Sequence, residues 1–422
     1  MFVRKNSYNL NFFSILLFII LITTYVYATD YTISNGTTQT TQAVLTAEDT
    51  LTVANGGTLD YDGYYAVNAD GITFNAQNTT INNAGTIQNN QNYGIDISDS
   101  TNASIVNSGT ITNDAANKSY IIYARAASGS VTNSGTIQPY TGGGTPIYLS
   151  RTTNFTVTNN NGGTIHGRAN YAVYYYAATS PTVTNNSGGT ITSTGNYAVQ
   201  FSGSSNTTLT NGGTISAPDY PVYIGDTTGT NRITNTGTIE ASDDSAIYGY
   251  EANNVTITNS GTISASDDYA VNASRATGTT SITNNSGATF SAGDAYTLSL
   301  SRAADIDVTN AGTISAGGDS AIYITYSDDW EITNTSSITA GDDYGIWVTN
   351  SEDGELTNSG TIDIVDDYAI YLGSGNTGTT VITNSGTIRS ATYPVYYGGS
   401  GSITITNSGT IEADDAGYTD NV

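Results

Sequence analysis

The chain has 422 residues, of which 11% are charged, and its net charge is −26 because 36 acidic residues outnumber 10 lysines and arginines. Such a surface repels nucleic acid and anionic lipid, so the composition argues against proteins that bind either one through a basic patch. The chain also has no cysteine, which excludes disulfide bonds and thiolate metal sites.

Residues 1–28 have the pattern of a Sec-type signal peptide. Arg4 and Lys5 form a basic start, residues 12–22 are apolar, and small residues two positions apart end the segment at Ala28. The alternative is a membrane anchor, but this apolar run is too short to cross about 30 Å of hydrocarbon as a helix. We therefore predict cleavage after Ala28 and export of the mature chain from the cytoplasm.

A six-residue phrase, Thr-Asn-Ser-Gly-Thr-Ile, then returns with small variations every 23 to 28 residues. A period in this range indicates a solenoid, in which each repeat covers the open face of the one before. We assign residues 29–56 to an amino-terminal cap, since an open turn would pair with other chains, and residues 57–422 to the repeats. The sequence stops part-way through a turn, so we expect it to be truncated. The phrase ends at Ile87, Ile111, Ile137, Ile165, Ile191, Ile215, Ile239, Ile263, Phe290, Ile314, Ile338, Ile362, Ile388 and Ile411.

One repeat, residues 255–275, shows the elements that every turn should contain. Residues 255–258 alternate apolar and polar, residues 262–264 form a second short apolar-centred stretch, and Val271 opens a third. Asn-Ser-Gly and Ser-Asp-Asp separate them, which is turn chemistry. The pattern predicts an all-β, right-handed parallel β-helix of about 14–15 rungs of roughly 24 residues. A leucine-rich repeat is the alternative, but leucine is sparse and no helical return is visible.

Two further rows follow from stacking the repeats. An apolar residue two positions before the repeat asparagine should line the core, and the asparagines should form a ladder of amides that satisfy each other. The apolar row is Ile81, Ile105, Val131, Val157, Val183, Leu209, Ile233, Ile257, Ile282, Val308, Ile332, Leu356, Ile382 and Ile405. The asparagine row is Asn83, Asn107, Asn133, Asn159, Asn185, Asn211, Asn235, Asn259, Asn284, Asn310, Asn334, Asn358, Asn384 and Asn407.

An aromatic row directly follows the inward Val or Ile of the third strand, so alternation predicts an exposed stripe of rings along one face. Two explanations stay open. The rings either stabilise their strands by stacking on cross-strand neighbours, or form a platform for sugar rings, a host surface or another copy of the rod. The row is Tyr123, Tyr148, Tyr174, Tyr223, Tyr248, Tyr323, Trp347, Tyr371 and Tyr396.

A second tyrosine row lies two positions before that same Val or Ile. Pro221 and Pro394 follow two of its members, and proline is disfavoured inside a central strand, so we assign this row to a corner rather than to a site. The row is Tyr93, Tyr120, Tyr171, Tyr197, Tyr220, Tyr269, Tyr344, Tyr368 and Tyr393.

Pairs of aspartates mark the turn before the third strand. Their repulsion keeps a rod soluble and discourages sideways association. Calcium is the functional alternative, because it takes six to eight oxygen ligands, but the glycine-rich repeat of calcium-binding β-rolls is missing. We therefore expect no cofactor, with calcium as the alternative. The pairs are Asp243-Asp244, Asp267-Asp268, Asp342-Asp343, Asp366-Asp367 and Asp414-Asp415.

Catalysis has little support in the sequence, and we name no catalytic, cofactor-binding or metal-binding residue. The single histidine, His166, lies beside Gly167 and is expected to be a solvated turn residue. A polysaccharide lyase or hydrolase on the same scaffold is the alternative, but it would need clustered acids with a lysine or arginine base, and the arginines are scattered.

The chain resembles the passenger of a bacterial autotransporter (type V secretion). The resemblance rests on the leader, on residues 31–36 (Tyr-Thr-Ile-Ser-Asn-Gly), on residues 51–59 (Leu-Thr-Val-Ala-Asn-Gly-Gly-Thr-Leu) and on the Ile-Thr-Asn-Ser-Gly-Thr-Ile repeats. It implies a secreted or outer-membrane surface protein, commonly an adhesin. Membrane anchoring would depend on a carboxy-terminal barrel that this sequence does not contain.

We therefore expect a non-enzymatic surface rod that mediates attachment or self-association. Its expected partners are surface glycans, a host or neighbouring cell surface, or another copy of itself, and not nucleic acid. A purely architectural spacer is a further alternative.

Overall fold

The computed structural model describes residues 30–68, 76–91, 93–113, 120–140, 144–168 and 170–413. The predicted signal peptide and the acid pair Asp414-Asp415 lie outside these residues. The described residues form three parallel sheets, A, B and C, of 16, 16 and 15 strands. Strands are numbered β1 to β47 in chain order, and successive strands enter the sheets in the order A, B, C. The predicted three-sided parallel β-solenoid, of about 15 turns with roughly 24 residues in each, is confirmed.

Sheet A contains β1 (Tyr31–Ile33), β4 (Thr50–Val53), β7 (Thr80–Asn83), β10 (Ala103–Asn107), β13 (Gly129–Asn133), β16 (Thr156–Asn159), β19 (Thr182–Asn185), β22 (Thr208–Asn211), β25 (Asn231–Asn235), β28 (Asn253–Asn259), β31 (Thr277–Asn284), β34 (Asp305–Asn310), β37 (Asp329–Asn334), β40 (Asp353–Asn358), β43 (Thr379–Asn384) and β46 (Ser402–Asn407).

Sheet B contains β2 (Thr38–Gln39), β5 (Thr58–Tyr61), β8 (Thr86–Asn89), β11 (Thr110–Asn113), β14 (Thr136–Pro139), β17 (Thr164–Gly167), β20 (Thr190–Ser193), β23 (Thr214–Ala217), β26 (Thr238–Ala241), β29 (Thr262–Ala265), β32 (Thr289–Ala292), β35 (Thr313–Ala316), β38 (Ser337–Ala340), β41 (Thr361–Ile364), β44 (Thr387–Ser390) and β47 (Thr410–Ala413).

Sheet C contains β3 (Ala43–Val44), β6 (Tyr65–Asn68), β9 (Tyr93–Asp96), β12 (Tyr120–Arg125), β15 (Thr145–Ser150), β18 (Tyr171–Tyr176), β21 (Tyr197–Ser202), β24 (Tyr220–Gly225), β27 (Ile247–Tyr250), β30 (Val271–Ser274), β33 (Leu298–Ser301), β36 (Ile322–Thr325), β39 (Tyr344–Thr349), β42 (Tyr368–Leu372) and β45 (Tyr393–Tyr397).

Like residues lie over like along the stack. Ile257 of β28 pairs with Ile282 of the next turn, and Ile263 of β29 pairs with Phe290. The inward side chains of the three sheets form one apolar core, and the predicted apolar row is buried from Ile81 to Ile382. Alternation with period two explains this, because every second residue of a short strand must enter the narrow interior. At the last described turn Ile405 is 44% exposed.

The asparagine row forms an unbroken ladder at the corner between sheets A and B. Each Nδ2 atom from Asn83 to Asn384 donates to the Oδ1 atom of the asparagine one turn later, at 2.7 to 3.1 Å. The same nitrogen also donates to a backbone carbonyl of the next turn, as Asn83 does to Thr110 O at 3.0 Å. Stacking therefore satisfies buried amides that would otherwise oppose folding.

The described part of the predicted cap, residues 30–56, lies in the same three sheets as the repeats. It supplies β1, β2 and β3 and opens the second turn with β4. Tyr31 pairs with Leu51, and Ala43 pairs with Val67. These residues therefore extend the solenoid by one turn.

Helices play no part in the architecture of the described segments. A search of those segments for a helix long and apolar enough to cross a membrane found none.

Candidate functional site

The outer face of sheet C carries a continuous set of aromatic side chains, which we call the aromatic band. Every strand of this sheet after β3 contributes at least one ring, either from the strand or from the corner just before it. The band consists of Tyr65, Tyr93, Tyr120, Tyr123, Tyr148, Tyr171, Tyr174, Tyr197, Tyr220, Tyr223, Tyr248, Tyr269, Tyr296, Tyr323, Tyr344, Trp347, Tyr368, Tyr371, Tyr393 and Tyr396.

Both predicted tyrosine rows belong to this band, because the corner into sheet C breaks the alternation of side chains. In β18, Ala172 and Val173 are consecutive and both buried, so Tyr171 and Tyr174 both face outward. Their rings stack with centroids 4.5 Å apart. The second row does lie at the corner, as its prolines predict. The two rows nevertheless share one surface, because their rings contact each other.

Ring contacts link successive turns in two runs along the band, from Tyr65 to Tyr248 and from Tyr269 to Tyr396. Tyr120 stacks on Tyr148 with centroids 4.4 Å apart, and Tyr123 stacks on the same ring at 5.7 Å and an interplanar angle of 6°. Tyr371 stacks on Tyr396 at 4.8 Å and 9°. Such aromatic pairs contribute about 0.5–1.5 kcal/mol each beyond the area that they bury. Stacking along the rod therefore holds successive turns of sheet C together.

The expected exposed stripe is a half-buried one. Every ring of the first row is partly covered by its neighbours, and only Tyr396, near the end of the described stack, counts as exposed, at 40%. Where rings stack nearly parallel along the rod, each ring covers part of its neighbour's face. The surface therefore offers phenol hydroxyls together with partly covered aromatic faces.

Tyr65 and Tyr296 are members of the band that the repeat alignment missed. Tyr296 stacks between Tyr269 and Tyr323, with centroids at 5.9 and 4.8 Å. It fills a turn in which the first row has Ser299 instead of a ring. The signal was present in the sequence: where one row lacks an aromatic residue, the other row supplies it.

A line of aspartates borders the band on the side where the chain enters sheet C, and we call it the acid edge. Within each Asp-Asp pair, the first residue is exposed and the second is half-buried beside the tyrosines. The Tyr220 hydroxyl donates to Asp244 Oδ2 at 2.6 Å. The acid edge consists of Asp219, Asp243, Asp244, Asp267, Asp268, Asp294, Asp319, Asp342, Asp343, Asp366 and Asp367.

Burial and mutual repulsion act together on these carboxyls. Burial raises the pKa of Asp268, and the charges of Asp244 and Asp267 raise it further. Burial likewise raises the pKa of Asp319, with Asp343 as the next cause. Ionised carboxylates in this edge are therefore less stable than carboxylates in water, and a cation placed beside them would relieve that cost.

Burial and nearby carboxylates also act on individual phenols of the band. Burial raises the pKa of Tyr223 to about 12, and the carboxylate of Asp226 adds to the effect. Burial also raises the pKa of Tyr296 to about 12, with Asp319 the next contributor. These two phenols are therefore neutral hydroxyl groups at neutral pH.

No group of three or more acidic or histidine side chains converges in a way that could hold a metal ion in the described segments. The paired aspartates instead step along the rod, one turn at a time. Calcium binding therefore stays a prediction, and the described residues offer no group of ligands for it.

A second acidic surface lies on sheet A, at its outward positions from β34 to β40. Asp305, Asp329 and Asp353 form one column, and Asp307, Glu331 and Glu355 form the next. All six are exposed around a shallow groove, and no lysine, arginine or histidine lines it. Trp330, in the inward row between the two columns, is 4% exposed.

His166 is a strand residue, and the prediction of a solvated turn was wrong. It points outward from β17, and its Nδ1 atom lies 2.8 Å from Thr192 Oγ1 of the next turn. Burial lowers its pKa, and the nearby Arg168 lowers it further. The contact with Thr192 and the lowered pKa indicate that His166 is a neutral residue in a row of outward-facing polar side chains.

The family model described as the BigA third pectate lyase-like domain matches residues 94–230 and again residues 219–421. Two successive matches are what a long stack of similar turns would produce, and together they cover more than half of the chain. A search of curated proteins gave no match, and a comparison with solved structures gave none either. On this evidence the chain belongs to the family described as the BigA third pectate lyase-like domain.

Proposed function

We propose that this chain is a non-enzymatic bacterial surface protein, similar to an autotransporter passenger, that mediates attachment or self-association. Its export would use the Sec pathway through the leader at residues 1–28. The observation that carries the proposal is the aromatic band, an outward-facing set of rings along a sheet that no other described part of the chain covers. Extended aromatic surfaces are typical of interaction sites.

The solenoid supports a role in attachment because it holds the band straight. At about 4.8 Å for each turn, fifteen turns extend roughly 70 Å. Continuous hydrogen-bonded stacking gives every ring a fixed neighbour. A partner can therefore meet many weak contacts at once without ordering a flexible chain, which lowers the entropic cost of binding.

The direct test replaces Tyr248, Tyr323 and Trp347 with serine and measures attachment of beads coated with the protein to cells. The variant should keep its β-sheet circular dichroism, because the three side chains face outward, and attachment should weaken. A matched control replaces Gln88, Gln138 and His166 with serine on the outer face of sheet B. Equal attachment by the wild type and both variants would show that the band does not mediate attachment.

An enzyme is the second candidate, and two observations favour it. The family's description refers to a pectate lyase-like domain, and the sheet A groove gathers six acids. A screen against acidic polysaccharides, with and without calcium, separates the candidates, because turnover would exclude a non-enzymatic protein. A pure spacer would bind nothing, and shortening it would change only its reach.

A further inference from the structure

We propose that the aromatic band and its acid edge together bind an extended cationic polypeptide, a segment rich in lysine and arginine on a partner protein. The inference rests on the proposed attachment function and adds the chemical class of the partner. It depends on charge complementarity, on the shape of the acid edge and on the way in which the rings are presented.

The turns that lead into sheet C from β24 to β42 are strongly acidic. They contain the eleven aspartates of the acid edge and no lysine, arginine or histidine. The described chain has two ion pairs, Arg275 with Glu251 and Arg389 with Asp363, and neither involves the acid edge. The edge therefore carries a concentrated negative charge, and a cationic partner complements it.

The shape of the acid edge favours a chain over a single ion. Corresponding aspartates are separated by one turn, about 4.8 Å along the rod, and they do not converge on a common point. Calcium needs six to eight oxygens around one centre, and the described residues offer no such group. Separate ammonium or guanidinium groups, each beside its own pair of carboxylates, suit a linear arrangement of this kind.

The rings favour a polypeptide over a sugar polymer. Beside the acid edge the rings meet both in parallel, as Tyr296 and Tyr323 do, and edge to face, as Tyr344 and Trp347 do, so neighbouring rings cover part of each face on which a sugar ring could stack. Lysine and arginine side chains can instead lay their methylene stems along the ring edges and donate N–H groups to the phenol oxygens. The chain already makes related contacts at its own surface, since the guanidinium groups of Arg275 and Arg302 lie 5.6 Å from the ring centroids of Tyr250 and Tyr326.

Sheet A supplies a matched control within the same molecule. Its six acids are as densely arranged as those of the acid edge, but all are exposed, and their outward face lacks aromatic rings. Exposed charges are screened by water and salt, so each contributes little to binding. Binding at the band should therefore depend on which acids are removed, and not only on how many.

The test measures the fluorescence anisotropy of a labelled peptide of alternating lysine and serine against the whole exported chain. Variant one is D267N, D268N, D342N and D343N together; variant two is D305N, D329N, E331Q and D353N, which changes the net charge equally. We expect affinity to fall about tenfold in variant one, because Asp268 and Asp343 are half-buried beside the tyrosines, and by less than about twofold in variant two, whose four acids are exposed and screened. A third variant, Y344F and Y368F, should weaken binding without changing charge.

Equal losses in variants one and two would overturn the inference, because the peptide would then respond only to net charge. Absence of binding to the wild type would also overturn it, as would stronger binding of a chitosan oligomer, which would indicate an amino-sugar polymer. Bead attachment measured in parallel separates the two proposals. If attachment depends on the band while the peptide does not bind, the polypeptide partner fails and the attachment function stands.

Discussion

At the residue scale, the asparagine ladder turns a polar side chain into a core element. An isolated buried amide opposes folding, but a stacked one donates to the turn above and accepts from the turn below. The repeat spacing alone predicts this, because identical residues in register must meet. The first asparagine of the ladder has no asparagine before it. Its Oδ1 atom, on Asn83, is therefore buried without a hydrogen-bond partner, because Val53 occupies the same position one turn earlier.

Replacing Asn259 with alanine should lower the free energy of unfolding by about 2–4 kcal/mol, because Asn284 Oδ1 loses its donor and Asn235 Nδ2 loses its acceptor. Asn407, at the exposed end of the described ladder, is the matched control, and its replacement should cost less than half as much. Urea denaturation followed by circular dichroism measures both. Similar losses at the two positions would show that the ladder does not act through its buried bonds.

The phenols of the band predict a loss of stability in alkali. Because the folded-state pKa values of Tyr223 and Tyr296 are raised to about 12, their contribution to stability is complete below the unfolded value near 10. It is lost as the pH rises through the folded values. The melting temperature should therefore fall between about pH 10 and about pH 12, and less steeply in a Y223F and Y296F variant. An equally steep fall in both proteins would show that Tyr223 and Tyr296 do not cause the loss of stability.

At the element scale, the short strands and their order follow from the sequence, but the corner into sheet C does not. Alternation within a strand predicts that Val173 is buried and Tyr174 faces outward, as observed. It also predicts that Tyr171 and Tyr174 lie on opposite faces, which fails because Ala172 and Val173 both turn inward. A bend of this kind depends on how three sheets close around a core, and spacing along one repeat does not contain that information.

Where one strand departs from the repeat by carrying a large side chain, the neighbouring strand can carry a small residue that leaves room for it. Gly354 of β40 lies over Trp330 of β37, and a Cβ atom at Gly354 would overlap the indole ring. G354A should therefore destabilise the chain by about 1–3 kcal/mol. When Trp330 has already been replaced by leucine, G354A should cost much less, because the indole ring is gone. Thermal unfolding of the four proteins in this cycle measures the coupling, and purely additive effects would show that the two residues do not compete for space.

At the scale of the whole molecule, the period of the repeat determines the architecture, and the number of turns determines its length. The sequence predicts three sheets and a polar, acidic exterior, and these agree with the structure. The function of the outer faces was harder to predict. Whether a ring is exposed depends on its neighbours in adjacent turns, so the repeat located the aromatic surface but not the stacking that half-buries it.

The central claim is that successive repeats stack in register, one strand spacing apart. The chain lacks cysteine, so spin labels can be attached at T192C in β20 and T339C in β38, six turns apart on the outer face of sheet B. Electron paramagnetic resonance should give a narrow distance distribution centred near 29 Å, from six spacings of about 4.8 Å. A broad distribution around 65 Å, as for a flexible chain of that length, would contradict the account.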